Sequence, residues 1–482
     1  MKALPLCQYK RDHQSKTYGH DTVHIDEVSS TTISQNISEK GSALSPSVPG
    51  DPTLPPVDRG FSAWATVAAS SLLGFFVWGF PNSSGALLAA YLKDPVYTSQ
   101  KGSSSILPLV GTLSTGVLYC SGIIIHPAIH YYPRLRKVFT WLGIVICTAS
   151  LLGASFTTKV TTLMALQGIL FAIGASLVYY PILSYLSEWF VRRRGLASGI
   201  VVAADNAGGV LFPVVVPALL ARVGIQTTTR IYAVALAVCL LPAAPFMRPR
   251  LPEPWAREKH QRSTGRAWAR DRRFWFFVAM NAVQGFAHFV PLTWLPTFAT
   301  TLGLSTGQAS LALTLSNAAA IFSGFGVGWL SDRVGIWALS FVVLLLSALA
   351  TFVLWGVAGA TYAGVLAFGV VYGLTAGSWS SLWSGFVRPI AGGDPAGAAT
   401  IINCMMLSRG IGNIVSTPIA TALQRVHAGN VAAGAASRTG FAVDGGRYDA
   451  VIIYTGACFA MGAAVALVGW AFDRKSTRRE SR

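Results

Sequence analysis

Hydrophobic residues in this chain fall in long runs with no charge between them. From Phe274 to Ser331 there is no Asp, Glu, Lys or Arg across 58 residues, and from Val334 to Val387 none across 54. Phe61 to Leu92 and Gly102 to Pro133 are charge-free over 32 residues each. A helix needs about 20 apolar residues to cross the hydrocarbon core of a bilayer. Breaks at Gly, Pro, Ser/Thr clusters and charges divide the runs into twelve segments: 62–84, 104–126, 138–157, 162–186, 196–220, 230–247, 274–296, 308–330, 336–356, 361–386, 397–423 and 449–471. These are spans 1 to 12 below. Backbone polar groups in lipid must be satisfied internally, which leaves helices or closed barrels. The runs are too long and too evenly apolar for barrel strands of about ten alternating residues. The pattern predicts an all-α membrane protein with 12 transmembrane helices in two six-helix halves. Residues 1–60 read as a disordered cytoplasmic tail, 61–247 as the first half and 248–273 as a basic cytoplasmic connector. The second half is 274–472, and 473–482 is a short basic tail.

Composition agrees with this reading. Of 482 residues 12% are charged and 52% hydrophobic, with mean hydropathy +0.51. A soluble protein carries about 25% charged residues, so too few remain here to cover a soluble surface. The formal charge is nevertheless +18. With both termini inside, the cytoplasmic segments hold 28 Lys and Arg and the outer loops eight. The positive-inside rule selects that topology. The basic clusters, including Arg192 to Arg194 and the connector, therefore set topology and face anionic lipid, and no nucleic-acid partner is expected. Five of the six cysteines are intramembrane, with no spacing that suggests metal or disulfides.

The halves repeat weakly, at an offset of about 205 residues: Asn206-x6-Pro213 in span 5 matches Gly412-x5-Pro418 in span 11. The connector after span 8 reads Gly328-Trp329-Leu330-Ser331-Asp332-Arg333-Val334-Gly335, and the one after span 2 ends Pro133-Arg134-x-Arg136-Lys137. Two six-helix halves related by an axis along the membrane normal are the layout of the major facilitator superfamily. Within it, Asp58-Arg59-Gly60-Phe61-Ser62-Ala63-Trp64 resembles the opening motif of the monocarboxylate porter family. Tyr179-Tyr180-Pro181-x3-Tyr185-Leu186-Ser187-Glu188-Trp189-Phe190-Val191-Arg192-Arg193-Arg194-Gly195-Leu196-Ala197 resembles that family's span 4–5 signature, in its fungal branch. Phe80-Pro81-Asn82-Ser83, Arg248-Pro249-Arg250-Leu251-Pro252 and Arg409-Gly410-x-Gly412-Asn413 are similar too. The resemblance implies a secondary transporter. Three expected charges are missing: Asn82 stands where proton-coupled animal members carry lysine, and Ala320 and Gly324 where they carry an Asp-x3-Arg pair. That departure points away from simple monocarboxylates.

A charge inside a bilayer costs about 2.5–3.5 kcal/mol on insertion scales and marks function by default. Asp205 lies mid-way along span 5 and Arg409 mid-way along span 11, one residue from equivalent places in the repeat. The expected roles are proton carriage or substrate pairing for Asp205 and reception of an anionic or polar group for Arg409. The alternative is that each satisfies buried groups beside its own glycine-rich turn. Asn281, Gln284 and His288 in span 7 follow i, i+3, i+7 and share a helix face. A polar stripe on an apolar helix lines a cavity or makes interhelical hydrogen bonds. Tyr179, Tyr180 and Tyr185 in span 4 are expected to face Tyr372, Trp379 and Trp383 in span 10. Tyr180 and Trp379 are the preferred cavity residues, because Tyr and Trp offer a flat apolar face with a hydrogen-bonding edge. Asn82 joins the list by its alignment. Glu188 beside Arg192 and Arg193, and Asp332 beside Arg333, are candidates for a cytoplasmic gate.

The expected function is alternating-access transport of a small organic solute, a carboxylate or related metabolite, driven by a proton gradient across the plasma membrane. Export of a secondary metabolite is the rival subclass, and a transporter-like nutrient sensor the rival of another class. No Gly-x4-Gly-Lys-Ser/Thr loop is present for ATP, and the scattered histidines suggest no membrane enzyme. No cofactor or metal is expected.

Overall fold

The computed structural model describes residues 55–190, 193–250, 267–331, 333–392, 395–427 and 439–480. Among these, eleven helices are long and apolar enough to cross a membrane. One of them, Leu196–Phe246, has 51 residues. That is about 76 Å at 1.5 Å per residue, enough for two crossings of a hydrocarbon core about 30 Å thick. Its backbone leaves the helical region at one residue, Gly224, with φ 77° and ψ 175°. That region suits glycine because no Cβ clashes there. Spans 5 and 6 lie on either side of it, so the count is consistent with twelve. The sequence suggested a loop of several residues at this place, whereas one glycine makes the break.

The other helices follow the apolar runs closely. Span 1 is Phe61–Asn82 continued by Ser84–Tyr91, span 2 is Ser103–Tyr131, span 7 is Arg272–Thr301 and span 11 lies in Pro395–His427. Span 10 is Tyr362–Thr375, tightens to a 3-10 helix over Ala376–Leu382, and resumes at Trp383–Ala391. Large apolar side chains left exposed are most numerous on spans 3, 5, 6, 9 and 12, with Val145, Val214, Val238, Val353 and Val468 among them. In a bilayer such faces meet lipid. The halves join along other faces. Span 2 packs along span 11, span 5 along span 8, and the end of span 1 along span 7. The two helices that carry Asp205 and Arg409 are thus each part of the joint.

Candidate substrate and coupling site

Arg409 is 3% exposed. Its guanidinium carbon stands 5.8 Å from the ring centre of Tyr119, 5.7 Å from Phe289 and 5.8 Å from Trp383. The rings come from spans 2, 7 and 10, and a cation over aromatic faces at this range is attracted by their quadrupoles. The approach of span 7 is set by Gly285. A Cβ there would stand 3.0 Å from both Cα and the carbonyl oxygen of Arg409. Arg409 Nε and Nη1 are buried and meet no hydrogen-bond acceptor among the described residues. A guanidinium carries five donors in a planar fork, so the enclosure holds a cation with donors unspent.

Asp205 is 8% exposed, and its Oδ1 also lacks a partner. Span 1 makes room for the carboxylate at Gly74, where any side chain would collide with it. Trp78, one turn on from Gly74, packs beside Tyr119 and Tyr179, with ring centres 5.2 and 5.5 Å away. Among the described residues neither Asp205 nor Arg409 makes an ion pair. Among the described residues spans 5 and 11 therefore each bury an ionisable side chain with no ion-pair partner, and the one on span 11 is walled by aromatic rings.

The span 7 stripe divides. Asn281 is fully buried and fully engaged: Nδ2 donates to Met405 O at 2.8 Å and Ser408 Oγ at 2.7 Å. Its Oδ1 accepts from Trp379 Nε1 at 2.9 Å and Trp383 Nε1 at 3.1 Å. Gln284, one turn on, is equally buried, yet neither its nitrogen nor its oxygen has a partner. His288 lies parallel to Tyr372, ring centres 6.0 Å apart. The Tyr372 hydroxyl donates to the His288 carbonyl and stands 3.4 Å from Nδ1. Gln284 is the member of the stripe whose whole side-chain amide is buried without a partner among the described residues.

The aromatic candidates are anchored. Tyr180 is fully buried, and its hydroxyl is 3.2 Å from the carbonyls of Leu118 and Tyr119 and 3.6 Å from Met406 Sδ. Trp379 spends its indole N–H on Asn281. Among the described ring pairs, none joins the span 4 tyrosines to Tyr372, Trp379 or Trp383. Asn82 is half-buried at the end of the first helix of span 1 and, with Asn317 of span 8, closes around Gly209 of span 5.

The expected gate residues lie differently. Glu188 pairs with Arg136, from the connector after span 2, and its Oε2 accepts the backbone N–H of Arg250 at 3.1 Å. Arg136 also donates to Ser184 Oγ at 3.2 Å and Pro133 O at 3.3 Å. Arg193 is exposed, and its backbone N–H donates to Asp58 Oδ1 at 2.9 Å. Asp58 N in turn donates to Trp189 O at 3.0 Å, and Trp189 Nε1 to Arg248 O at 2.8 Å. Residues from three of the family-like motifs, Asp58, Glu188, Trp189, Arg193, Arg248 and Arg250, thus meet in one knot at the edges of the first half. Arg333 stacks over Trp329, 3.8 Å from its ring centre. Arg192 and Asp332 lie outside the described residues.

Tyr119, Phe289 and Trp383 as walls, and Arg136 as the partner of Glu188, did not emerge as such from sequence reasoning. An aromatic at mid-depth is the only local signal for Tyr119, and many apolar helices share it. Among the described residues no three His, Cys, Asp or Glu side chains gather to hold a metal ion.

Residues 62–417 match the Major Facilitator Superfamily, most of the chain. The chain belongs to that superfamily. Facilitator relatives include the MFS-type transporter pynF of Aspergillus niger, 27% identical over 83% of this chain and 89% of the relative. The aspyridones efflux protein apdF of Emericella nidulans is 25% identical over 77% of this chain and 74% of the relative. Among solved facilitator structures, a bacterial homologue of the lysosomal transporter Spinster, inward-facing and occupied, superposes with TM-score 0.63 at 14% identity, over 84% of this chain and 96% of that one. The D-xylose-proton symporter superposes with TM-score 0.61 at 16% identity, over 85% and 98%. These likenesses support the fold. As a facilitator the chain is a membrane transporter with no enzymatic reaction to perform.

Proposed function

We propose that this facilitator exports a small organic acid or related acidic metabolite by alternating access, in exchange for protons. Arg409 carries the proposal, as a buried guanidinium with Nε and Nη1 unpartnered inside an aromatic enclosure. Leaving a buried charged donor unmatched is costly, and an acidic group of the solute offsets that cost on binding. The aromatic walls suit an unsaturated organic body over a strongly hydrated ion. Asp205 takes up and releases the coupling proton, since it lies mid-membrane with an oxygen that meets no partner among the described residues. Gln284 adds a donor and an acceptor one helical turn from Asn281. The export direction is supported by the relative named as an efflux protein. The resemblance to monocarboxylate porters supports an acidic solute, and the missing lysine and Asp-x3-Arg pair support one larger than lactate. The charge distribution supports cytoplasmic termini, and a plasma-membrane location goes with the export reading.

The test is flux in proteoliposomes holding the full chain, with an imposed pH gradient and a panel of benzoate, salicylate, hexanoate and lactate. Acid accumulation that follows the gradient is expected, with aromatic acids ahead of lactate. Asp205→Asn should leave exchange of benzoate across equal pH intact while abolishing accumulation. Flux unaffected by the gradient in the parent protein sinks proton coupling. Transport of neutral sugars in preference to any acid sinks the role of Arg409.

A further inference from the structure

One residue ties together three helices at the Arg409 enclosure without facing it. Asn281 Oδ1 takes the indole N–H of both Trp379 and Trp383, at 2.9 and 3.1 Å. Trp383 is one wall of the enclosure, 5.8 Å from the guanidinium carbon. On its other side Asn281 Nδ2 donates to Met405 O at 2.8 Å and Ser408 Oγ at 2.7 Å. Met405 is four residues before Arg409, so its carbonyl is also the helical acceptor for the Arg409 backbone N–H. Ser408 is the preceding residue. The amide therefore fixes the ring that faces the cation and, separately, the helical turn that carries it.

The chemistry allows little else in this place. A carboxamide has two donors and an acceptor oxygen with two lone pairs, and all four are spent here. Two indole N–H groups on one oxygen need a flat acceptor reachable from both sides. The 3-10 turn Ala376–Leu382, wound at about three residues per turn, carries Trp379 and ends immediately before Trp383. With no hydrogen-bonding capacity left, Asn281 has nothing to offer a solute.

We infer that Asn281 is a positioning residue that sets the solute preference of the Arg409 enclosure by holding Trp383 against the guanidinium. The inference rests on the transport reading for its functional consequence, but the geometry it asserts is separable. Losing Asn281 lets the Trp383 ring turn away, which weakens binding of flat acids more than of flexible ones and leaves the rocking of the halves intact.

Two measurements on the full chain test this. In proteoliposomes, Asn281→Leu should raise the KM for benzoate by about 10-fold, the worth of one or two neutral hydrogen bonds, with Vmax and the KM for hexanoate within about twofold. Asn281→Asp keeps the oxygen that accepts both indoles but loses the donors to Met405 O and Ser408 Oγ, so it should recover part of the benzoate KM. Adding Asn281→Leu to Trp383→Phe, which lacks the indole N–H, should change the benzoate KM no further. In detergent micelles with 15N-indole tryptophan, Asn281→Leu should shift two indole N–H resonances, assigned by their loss in Trp379→Phe and Trp383→Phe. A fall in Vmax alone, equal loss for both acids, or multiplying defects in the double variant overturns the inference, as do two unmoved resonances. If the parent protein moves neither acid, the organic-acid reading fails, and the indole shifts still decide whether Asn281 holds the tryptophans.

Discussion

Replacing Gly85 with valine should push the protein out of the conformation described here. Gly85 lies in the second helix of span 1, where span 7 crosses so closely that a Cβ would overlap the Leu292 carbonyl oxygen. It would also stand 3.2 Å from the Thr293 carbonyl oxygen and 3.2 Å from Pro296 Cγ. Two of these three atoms are backbone, so no side-chain rotation relieves the clash, and the helices must part. Overpacking of this kind costs about 1–3 kcal/mol. Only the state with this end shut bears the cost, so the balance moves by roughly 5- to 150-fold towards the state with it open. Thr293, 5% exposed, makes a reporter of that end. With the six native cysteines removed, Thr293→Cys should react slowly with a membrane-impermeant thiol reagent added from the side of Lys93 and Lys101. In the Gly85→Val background the rate should rise about fivefold or more. An unchanged rate in a protein as heat-stable as its parent refutes the seal. So does lost heat stability with no gain in labelling, because the strain would then fall on both states alike.

Three further outcomes follow from the same geometry. Arg409→Lys keeps the charge but loses the fork, so benzoate flux in proteoliposomes should fall by about 10-fold or more; equal flux would assign the enclosure a structural role. Glu188→Ala strands the buried Arg136 and should cost about 3–5 kcal/mol in denaturant unfolding in micelles, while joint Glu188→Leu and Arg136→Met should restore most of it. A double variant no more stable than Glu188→Ala would show that Arg136 is not the partner. Tyr180→Phe removes a hydroxyl that serves backbone carbonyls, so it should cost about 1 kcal/mol of stability and leave the benzoate KM unchanged; a changed KM would place the hydroxyl on the solute path.

The helices and the two central charges were legible from the chain because each rests on a one-dimensional rule. Twenty uncharged residues must be a helix in lipid, and a lone charge within such a run stands out against its neighbours. Asp205 and Arg409 were singled out on that basis, and both are buried with no ion-pair partner among the described residues. The span 7 stripe was equally visible as a helical face, yet its three members have different surroundings. Spacing places Asn281, Gln284 and His288 on one side, but only packing against spans 10 and 11 consumes the first and leaves Gln284 unmatched. Glu188 shows the same limit, since the arginines nearest it in sequence are four to six residues on, while its partner Arg136 arrives from another connector 52 residues back.

What the sequence determined by itself is the medium, the helical class and the positions where charge is costly, since these depend on local composition and the fixed thickness of a bilayer. What only the tertiary structure decided is which polar atoms are spent and which are free. Glycines at 74, 85 and 285 let helix backbones approach within a side chain's width, and that approach selects the neighbours. It places Tyr119, Phe289 and Trp383 around Arg409, though they lie 290, 120 and 26 residues away along the chain. No local pattern encodes such a meeting, because it is set by the packing of whole helices.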